Sequence, residues 1–451
     1  MNMDKGNMGV FLALRRSYPS FVYRSFSWRE DAEGLHLEFE FVMGDHIFRP
    51  HALLERRDFL HFDIDASLMD SLVFQIGMIE LVSYWKCACP PRVEVACGRL
   101  SEPELAFWRK IYWHGLGEFF YTNGIHTTID QMMQIVCRDE APVMSLPHHV
   151  ADAEDNSYLV PIGGGKDSVV TLELLRQAGM QVRPLIMNPR GATVGCAKVA
   201  GFSNEQVLVI RRTIDPLLLR LNEQGFLNGH TPFSAMLAFY TLMAAECSGV
   251  RNIALSNESS ANESTVVGTS VNHQYSKSLE FEDDFRRYVR RDNYFSFLRP
   301  LSELQIAMLF SRLRQYHEVF RSCNVGSKTD IWCGHCAKCL FAYIILSPFL
   351  SPAELVHIFG RQLLDDETLR HEFHQLTGHA ETKPFECVGT IDEVNTALQM
   401  AIDRWYSDSR PRLLEGFTPS SAAVDIHRIA HIGNLNPTEY NILEACIAKR
   451  D

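Results

Sequence analysis

The chain has 451 residues, 46% of them hydrophobic and 22% charged, and a formal net charge of −12. That length calls for two or three domains, and that composition is ordinary for a soluble globular protein, with no uninterrupted apolar run of membrane-spanning length. The acidic balance works against nucleic-acid binding, which draws its affinity from neutralised phosphates, and Met1–Arg16 lacks a secretory pattern, so the cytoplasm is the expected compartment.

Residues 1–150 read as an α+β domain. Leu35–Val42 alternates as a half-buried strand does, Gly44-Asp45 turns the chain into His46–Phe48, and Leu68–Trp85 is a helix. Arg92–Ala96 is a short strand. Ser101 and Glu104 make a capping box, with Pro103 in the first turn, for a helix running toward Tyr121. No chemical motif stands out in this block. Ala151–Ser157 is polar and acidic and reads as a linker.

Strands and helices then alternate. Tyr158–Ile162, Pro184–Met187, Val207–Ile210 and Asn252–Leu255 are the expected strands. Asp167–Ala178 is a helix stopped by Gly179, and Thr231 caps another, with Pro232 at its first position, through Cys247. This order predicts an α/β fold with a doubly wound parallel sheet over 151–349. From 350 to 451 the chain reads as mostly helical. Ser351-Pro352 opens one helix and Met400–Trp405 ends another, while the tail from Pro411 is less regular.

The strongest chemical signal is Gly163-Gly164-Gly165-Lys166-Asp167-Ser168, between a buried strand and a helix. Glycines permit positive φ and close backbone approach, and a helix start offers free N–H groups to an anion. Lys166 adds positive charge, Ser168 a further donor, and Asp167 suits a bound Mg²⁺. A plain tight turn is the blander reading. Lys166 is followed by Asp rather than Ser or Thr, so this is not a Walker A loop. It resembles the Ser-Gly-Gly-x-Asp-Ser loop of the ATP pyrophosphatase (PP-loop) superfamily, with Gly163 in place of the first serine. That resemblance implies cleavage of ATP to AMP and pyrophosphate. Asn188, Arg211-Arg212 and Ser256-Asn257-Glu258 lie at the carboxyl ends of the other expected strands, where ligands of open parallel sheets bind.

Of twelve cysteines, Cys323, Cys333, Cys336 and Cys339 fall close together. In a reducing compartment such spacing indicates metal ligands rather than disulfides. Four thiolates suit a structural Zn²⁺; a [4Fe–4S] cluster and unliganded thiols ahead of a Leu340–Leu346 helix are the alternatives.

Further segments resemble one family within the superfamily. They are Asn228–Phe233, Ser256–Glu263, Val271–Ser278, Leu298–Leu304, Trp332–Cys339 and Lys383–Gly389. Together they resemble the UDP-N-acetylmuramoyl-L-alanyl-L-glutamate epimerases of bacterial peptidoglycan synthesis, over roughly residues 150–395. The resemblance implies conversion of the terminal L-Glu of UDP-MurNAc-L-Ala-L-Glu to D-Glu, with ATP as co-substrate and Mg²⁺. Ser256 and Asn257 join Gly163–Ser168 as expected nucleotide-binding residues. Asp167, Glu258, His273, Lys277 and Cys387 are the expected catalytic residues, since exchange at two faces needs a donor and an acceptor. Each of the last four also reads as an ordinary polar or buried side chain. Arg211, Arg212, Arg286, Arg287, Arg290 and Arg299 are candidates for the diphosphate and carboxylates, with a solvated helix face the plainer reading of Arg286–Arg290. A PP-loop transferase acting on tRNA or a deazapurine is the rival enzyme, and a non-catalytic nucleotide sensor the rival outside enzymes.

Overall fold

A computed structural model of the chain describes residues 6–147, 156–266, 269, 271–420 and 423–449. The expected linker falls outside these residues except at Asn156 and Ser157. In chain order the strands are β1 (Ser20–Glu30), β2 (Gly34–Met43), β3 (His46–Phe48), β4 (His51–Glu55), β5 (Arg92–Val95), β6 (Gln134–Cys137), β7 (Ser157–Pro161), β8 (Gln181–Met187), β9 (Leu208–Arg212), β10 (Asn252–Leu255) and β11 (Tyr294–Ser296). Two compact units interleave along the chain. Unit one takes Met1–Asp155, Leu208–Arg251 and Ser270–Asn293; unit two takes Asn156–Val207, Asn252–Thr269 and Tyr294–Asp451. The expected blocks 1–150, 151–349 and 350–451 are consecutive. The units are not, because β9 pairs antiparallel with β4, Leu54 opposite Ile210, which draws Leu208–Arg251 to the N-terminal segment.

Unit one is α+β, as its N-terminal block reads in sequence. Its strands run in the order β9-β4-β2-β1-β5-β6, with β3 on β2. The pairs are antiparallel from β9 to β1 and parallel from β1 to β6. In β2 the period of two sends Leu35, Leu37, Phe39 and Phe41 inward and leaves Glu38 exposed. Helix Ala66–Trp85 starts at Asp65, whose carboxylate accepts from the Ser67 and Leu68 amides at 3.0 and 3.1 Å. By length and composition this helix could cross a membrane, yet 78% of its most apolar window is buried inside the protein. Its Asp70, Gln75 and Glu80 bond to Trp28, the Met144 carbonyl and Arg212, and it packs on β1 and on helix Phe233–Ser248. Gly77 permits the close approach to β1: a Cβ there would sit 1.8 Å from the Tyr23 hydroxyl.

Two sequence expectations change in this unit. The helix expected from Ser101 toward Tyr121 breaks at Leu116 into Glu102–Gly115 and Gly117–Thr122, where flanking glycines weaken it. Thr231 does not cap helix Phe233–Ser248; Pro232 holds that position, and the Thr231 hydroxyl accepts from Lys86 Nζ at 2.6 Å.

Unit two holds a parallel sheet in the order β11-β10-β7-β8. From β7 the chain runs through helix Lys166–Gln177 to β8 on one side and later reaches β10 on the other. The order therefore reverses between β7 and β10, the kind of point where open α/β sheets bind ligands beyond their carboxyl ends. The strand expected at Val207–Ile210 is β9, which pairs antiparallel with β4; the three-residue β11, too short for a periodic signal, joins the parallel set. As expected, the C-terminal region is largely helical, with Pro352–Phe359, Arg370–Thr377, Ile391–Trp405 and Pro437–Ala448. Tyr158 of β7 donates to Glu439 of the last helix at 3.0 Å.

A buried ion pair ties unit one together. Arg212 of β9 grips Glu80 of helix Ala66–Trp85 with two bonds of 2.5 and 2.6 Å, and Tyr240 donates to the same carboxylate at 2.9 Å. Arg212→Met strands the buried Glu80 charge and is expected to lower the unfolding free energy by about 3–5 kcal/mol. Adding Glu80→Leu should recover most of that loss in urea denaturation.

Candidate active site and metal centre

The glycine turn leaves the carboxyl end of β7 and opens helix Lys166–Gln177, whose first position follows Gly165 with no side-chain cap. The first amides of that helix thus remain donors for an anion. Gly164 has φ 82°, and a Cβ there would lie 2.9 Å from the Ala192 Cβ. A Cβ on Gly163 would meet nothing within 4 Å, so a serine would fit where this chain has glycine. Ser168 Oγ donates to the Gly165 carbonyl at 3.1 Å.

Lys166 is not free for phosphate, as the sequence alone suggests. Its side chain is buried, and Nζ donates to both Asp167 and Glu303. The two carboxylates hold the ammonium well above its usual range against the opposing effect of burial. Burial pushes the Glu303 carboxyl up, Lys166 opposes that, and the charges of Asp167, Glu258 and Glu393 push it up further. Glu393 caps its own helix by accepting from Thr390 N at 2.6 Å and also accepts from Glu303 N at 2.7 Å. Lys166 thus pairs with two carboxylates, and Glu258 and Glu393 add negative charge near Glu303, a donor set that suits a divalent cation better than a bare anion.

The other side of the crevice comes from the end of β10. Ser256 Oγ is buried without a hydrogen-bond partner among the described residues, an orphaned group that a ligand would satisfy. Asn257 donates to Ser296 Oγ at 2.9 Å. Glu258 is buried; Ser260 Oγ donates to its carboxylate at 3.2 Å and Arg299 to its carbonyl at 2.6 Å. Arg299 is fully buried and orders this loop. Asn188, at the end of β8, has φ 52°.

The segment Lys383–Gly389 joins the same region. Lys383 pairs with Glu263, and Thr382 bridges Val266. Glu386 accepts from Asn324, next to the cysteine cluster, and Gly389 backs onto Glu303 and Glu393. Cys387, between these anchors, is half-buried.

Cys323, Cys333, Cys336 and Cys339 offer four Sγ atoms within 4.8 Å of one another and can hold a metal ion. Hydrogen bonding from Cys339 brings the Cys336 thiol down to about 5, whereas burial lifts Cys333 to about 11. The Gly326 amide donates to Cys323 Sγ at 3.1 Å. The segment entering this knuckle buttresses the glycine turn: Arg321 N donates to the Gly164 carbonyl at 2.8 Å, and Ser322 Oγ lies against Gly165.

Not all expected site residues meet here. Lys277 and His273 belong to unit one, where His273 bonds Glu118. Arg211 and Arg212 do end β9 but are engaged by carboxylates, pairing with Glu55 and Glu80 inside unit one. Arg286 and Arg287 pair with Asp292 and Asp284 on their own segment, and Arg290 ends that helix with φ 55°. Glu303, Glu393, Glu118 and His230 escaped the sequence reading. Glu303 and Glu393 sit in capping boxes, Ser302–Gln305 and Thr390–Glu393, where an acidic residue looks like helix-start chemistry and nothing more.

Fold and site define an α/β protein with an anion-receptive glycine turn and a four-thiol knuckle. The sequence model of the MurL N-terminal domain matches residues 13–297 and that of the MurL C-terminal domain residues 319–422. The chain belongs to the MurL family. Its similarity includes the first 150 residues, which show only a general likeness by motif. A UDP-N-acetyl-alpha-D-muramoyl-L-alanyl-L-glutamate epimerase of Xanthomonas oryzae pv. oryzae is 37% identical over 76% of this chain and 78% of its own. Proteins of the same name from a Micromonospora species and from Salinispora tropica are 37% and 35% identical, over 80% and 72% of this chain and 81% and 72% of their own.

The glycine geometry yields a paired expectation. Gly164→Ala forces a side chain into a left-handed, crowded position and should cost about 1–3 kcal/mol. Gly163→Ser should stay within about 0.5 kcal/mol of the parent; chemical denaturation monitored by circular dichroism compares the two.

Proposed function

We propose that the chain epimerises the terminal L-glutamate of UDP-MurNAc-L-Ala-L-Glu to D-glutamate, and so acts as an isomerase in peptidoglycan precursor synthesis. The observation that carries this reading is identity of 35–37% to proteins of that name over most of both chains. We assign the parallel unit to the PP-loop type and the reaction to ATP as co-substrate. A glycine turn at the sheet's switch point, the orphaned Ser256 hydroxyl and the excess of carboxylates around Lys166 support Mg²⁺-ATP there.

The chemistry explains why ATP is spent. A free α-carboxylate resists loss of the neighbouring proton, because the carbanion would place two negative charges on a small unit. Attack of a carboxylate oxygen on the α-phosphorus expels pyrophosphate and leaves an acyl adenylate whose acyl carbonyl no longer carries the carboxylate charge. A side chain takes the α-proton, a second returns one to the opposite face, and water then splits the mixed anhydride into D-glutamyl carboxylate and AMP. Helix amides after Gly165, with Ser168, hold phosphate oxygens, and Asp167 orients the metal ion. Cys387, Glu258, His273 and Lys277 are the proton-transfer candidates.

We assign the cysteine set to a structural Zn²⁺. Its Sγ contacts of 3.5, 3.7 and 3.9 Å match the roughly 3.8 Å edge of a tetrahedron with bonds of about 2.3 Å. Filling all four positions leaves none for water, so the ion's role is to hold Arg321 and Ser322 against the glycine turn.

Incubation with UDP-MurNAc-L-Ala-L-Glu and ATP in heavy water tests the reaction. Deuterium at the glutamate α-carbon, with AMP and D-glutamate formed together, is expected; AMP made without change of configuration would refute epimerisation. Oxygen-18 placed in the substrate α-carboxylate should appear in AMP, and its absence would remove the adenylate. Asp167→Asn should lower turnover about a hundredfold or more. Cys339→Ser should strip zinc, read by elemental analysis, and raise the KM for ATP as the turn loosens.

A further inference from the structure

Unit one carries a cluster of two histidines and a carboxylate in which His273 would serve as a ligand rather than in proton transfer. Glu118 lies near the start of helix Gly117–Thr122, His230 on the segment before helix Phe233–Ser248, and His273 in the turn before Tyr275–Lys277. One oxygen, Glu118 Oε2, receives both rings: His273 Nδ1 in a short hydrogen bond and His230 Nδ1 at 3.2 Å. The ring centroids are 4.6 Å apart, and the three ligand atoms all lie within 4.8 Å of one another. Side-chain exposures are 15% for Glu118, 20% for His230 and 11% for His273, so the cluster is recessed but reachable.

Each ligand is held by its surroundings. Lys86, itself buried, spends its donors on the Gly229 and His230 carbonyls and on Thr231 Oγ1, which fixes the segment bearing His230 and leaves Glu118 to the histidines. Asn123 Nδ2 donates to the Asn228 carbonyl at 3.1 Å. Gly229 adopts φ 155° against the Phe119 ring, where a Cβ would come within 3.1 Å. On the other side Asn272 Oδ1 accepts from the Gln274 amide at 2.8 Å and shapes the turn bearing His273.

We propose that Glu118, His230 and His273 form a second metal centre, which takes a divalent transition-metal ion and leaves coordination positions open to water or an oxygen ligand. Two imidazoles and one carboxylate are the donor set of open zinc and non-haem iron sites, and ligand bonds of about 2.0–2.2 Å bring such atoms to about 3 Å separation. The present spacing needs only small side-chain rotations to reach that. This centre differs from the cysteine set in donor type, in being incomplete as a tetrahedron, and in belonging to the other unit.

The two sites can be told apart by cobalt. Tag-free full-length protein, stripped with chelator and titrated with Co²⁺, is expected to bind one ion with strong thiolate charge-transfer absorbance and another showing only weak visible bands. His230→Ala and His273→Ala should each abolish the second ion while keeping the thiolate signal, which also shows that the variant is folded. Glu118→Gln should weaken it at least about tenfold, the loss that even an outer partner can cause. Identical titrations of the parent and His273→Ala, or cobalt bound through thiolates alone, would overturn the proposal. The readout is metal content, so it stands apart from whether the chain epimerises its substrate.

Discussion

The ammonium of Lys166 is the charge on which the interior of unit two depends. Glu303 is buried with Glu258 and Glu393 close enough to raise its proton affinity, and Asp167 sits on the same lysine. Carboxylates taken out of water cost several kcal/mol each unless paired and hydrogen-bonded. Lys166 pairs directly with two of these groups, Asp167 and Glu303. The protein can hold this arrangement because Thr390 and Glu303 amides serve Glu393, while Ser260 serves Glu258.

The same lysine explains why several distant segments converge. Glu303 opens the helix after β11, Glu393 opens the helix after Lys383–Gly389, and Lys166 opens the helix after β7. Three helix N-termini thus meet around one ion-pair network. Against the outer side of the glycine turn lies the segment entering the cysteine knuckle, joined through Arg321 and Ser322. A metal in the knuckle would act on the turn through this contact, by stiffening its support.

Unit one is organised by a different buried pair, Glu80 with Arg212, which joins β9 to helix Ala66–Trp85. That pair accounts for a charge in the middle of an apolar helix and for an arginine in a short strand. In sequence Arg211-Arg212 looks like anion-binding chemistry at a strand end. In the fold the guanidinium of Arg212 is occupied by a carboxylate more than a hundred residues earlier.

Local chemistry was legible in the sequence because its causes are local. The glycine run, the helix starts at Ser101 and Ser351, the alternation of β2 and the cysteine spacing all act within a few residues, and each appears where the pattern puts it. Partner choice belonged to the tertiary structure. Val207–Ile210 has the composition of a buried strand, but nothing in it announces an antiparallel partner as distant as β4. Lys166 looks like a phosphate ligand until Glu303 reaches it, and His273 looks like a proton-transfer group until Glu118, from a segment far along the chain, bonds it together with His230. A residue's type and its neighbours set what it can do; which charge it faces depends on long-range packing, where burial makes one pairing far more favourable than the rest.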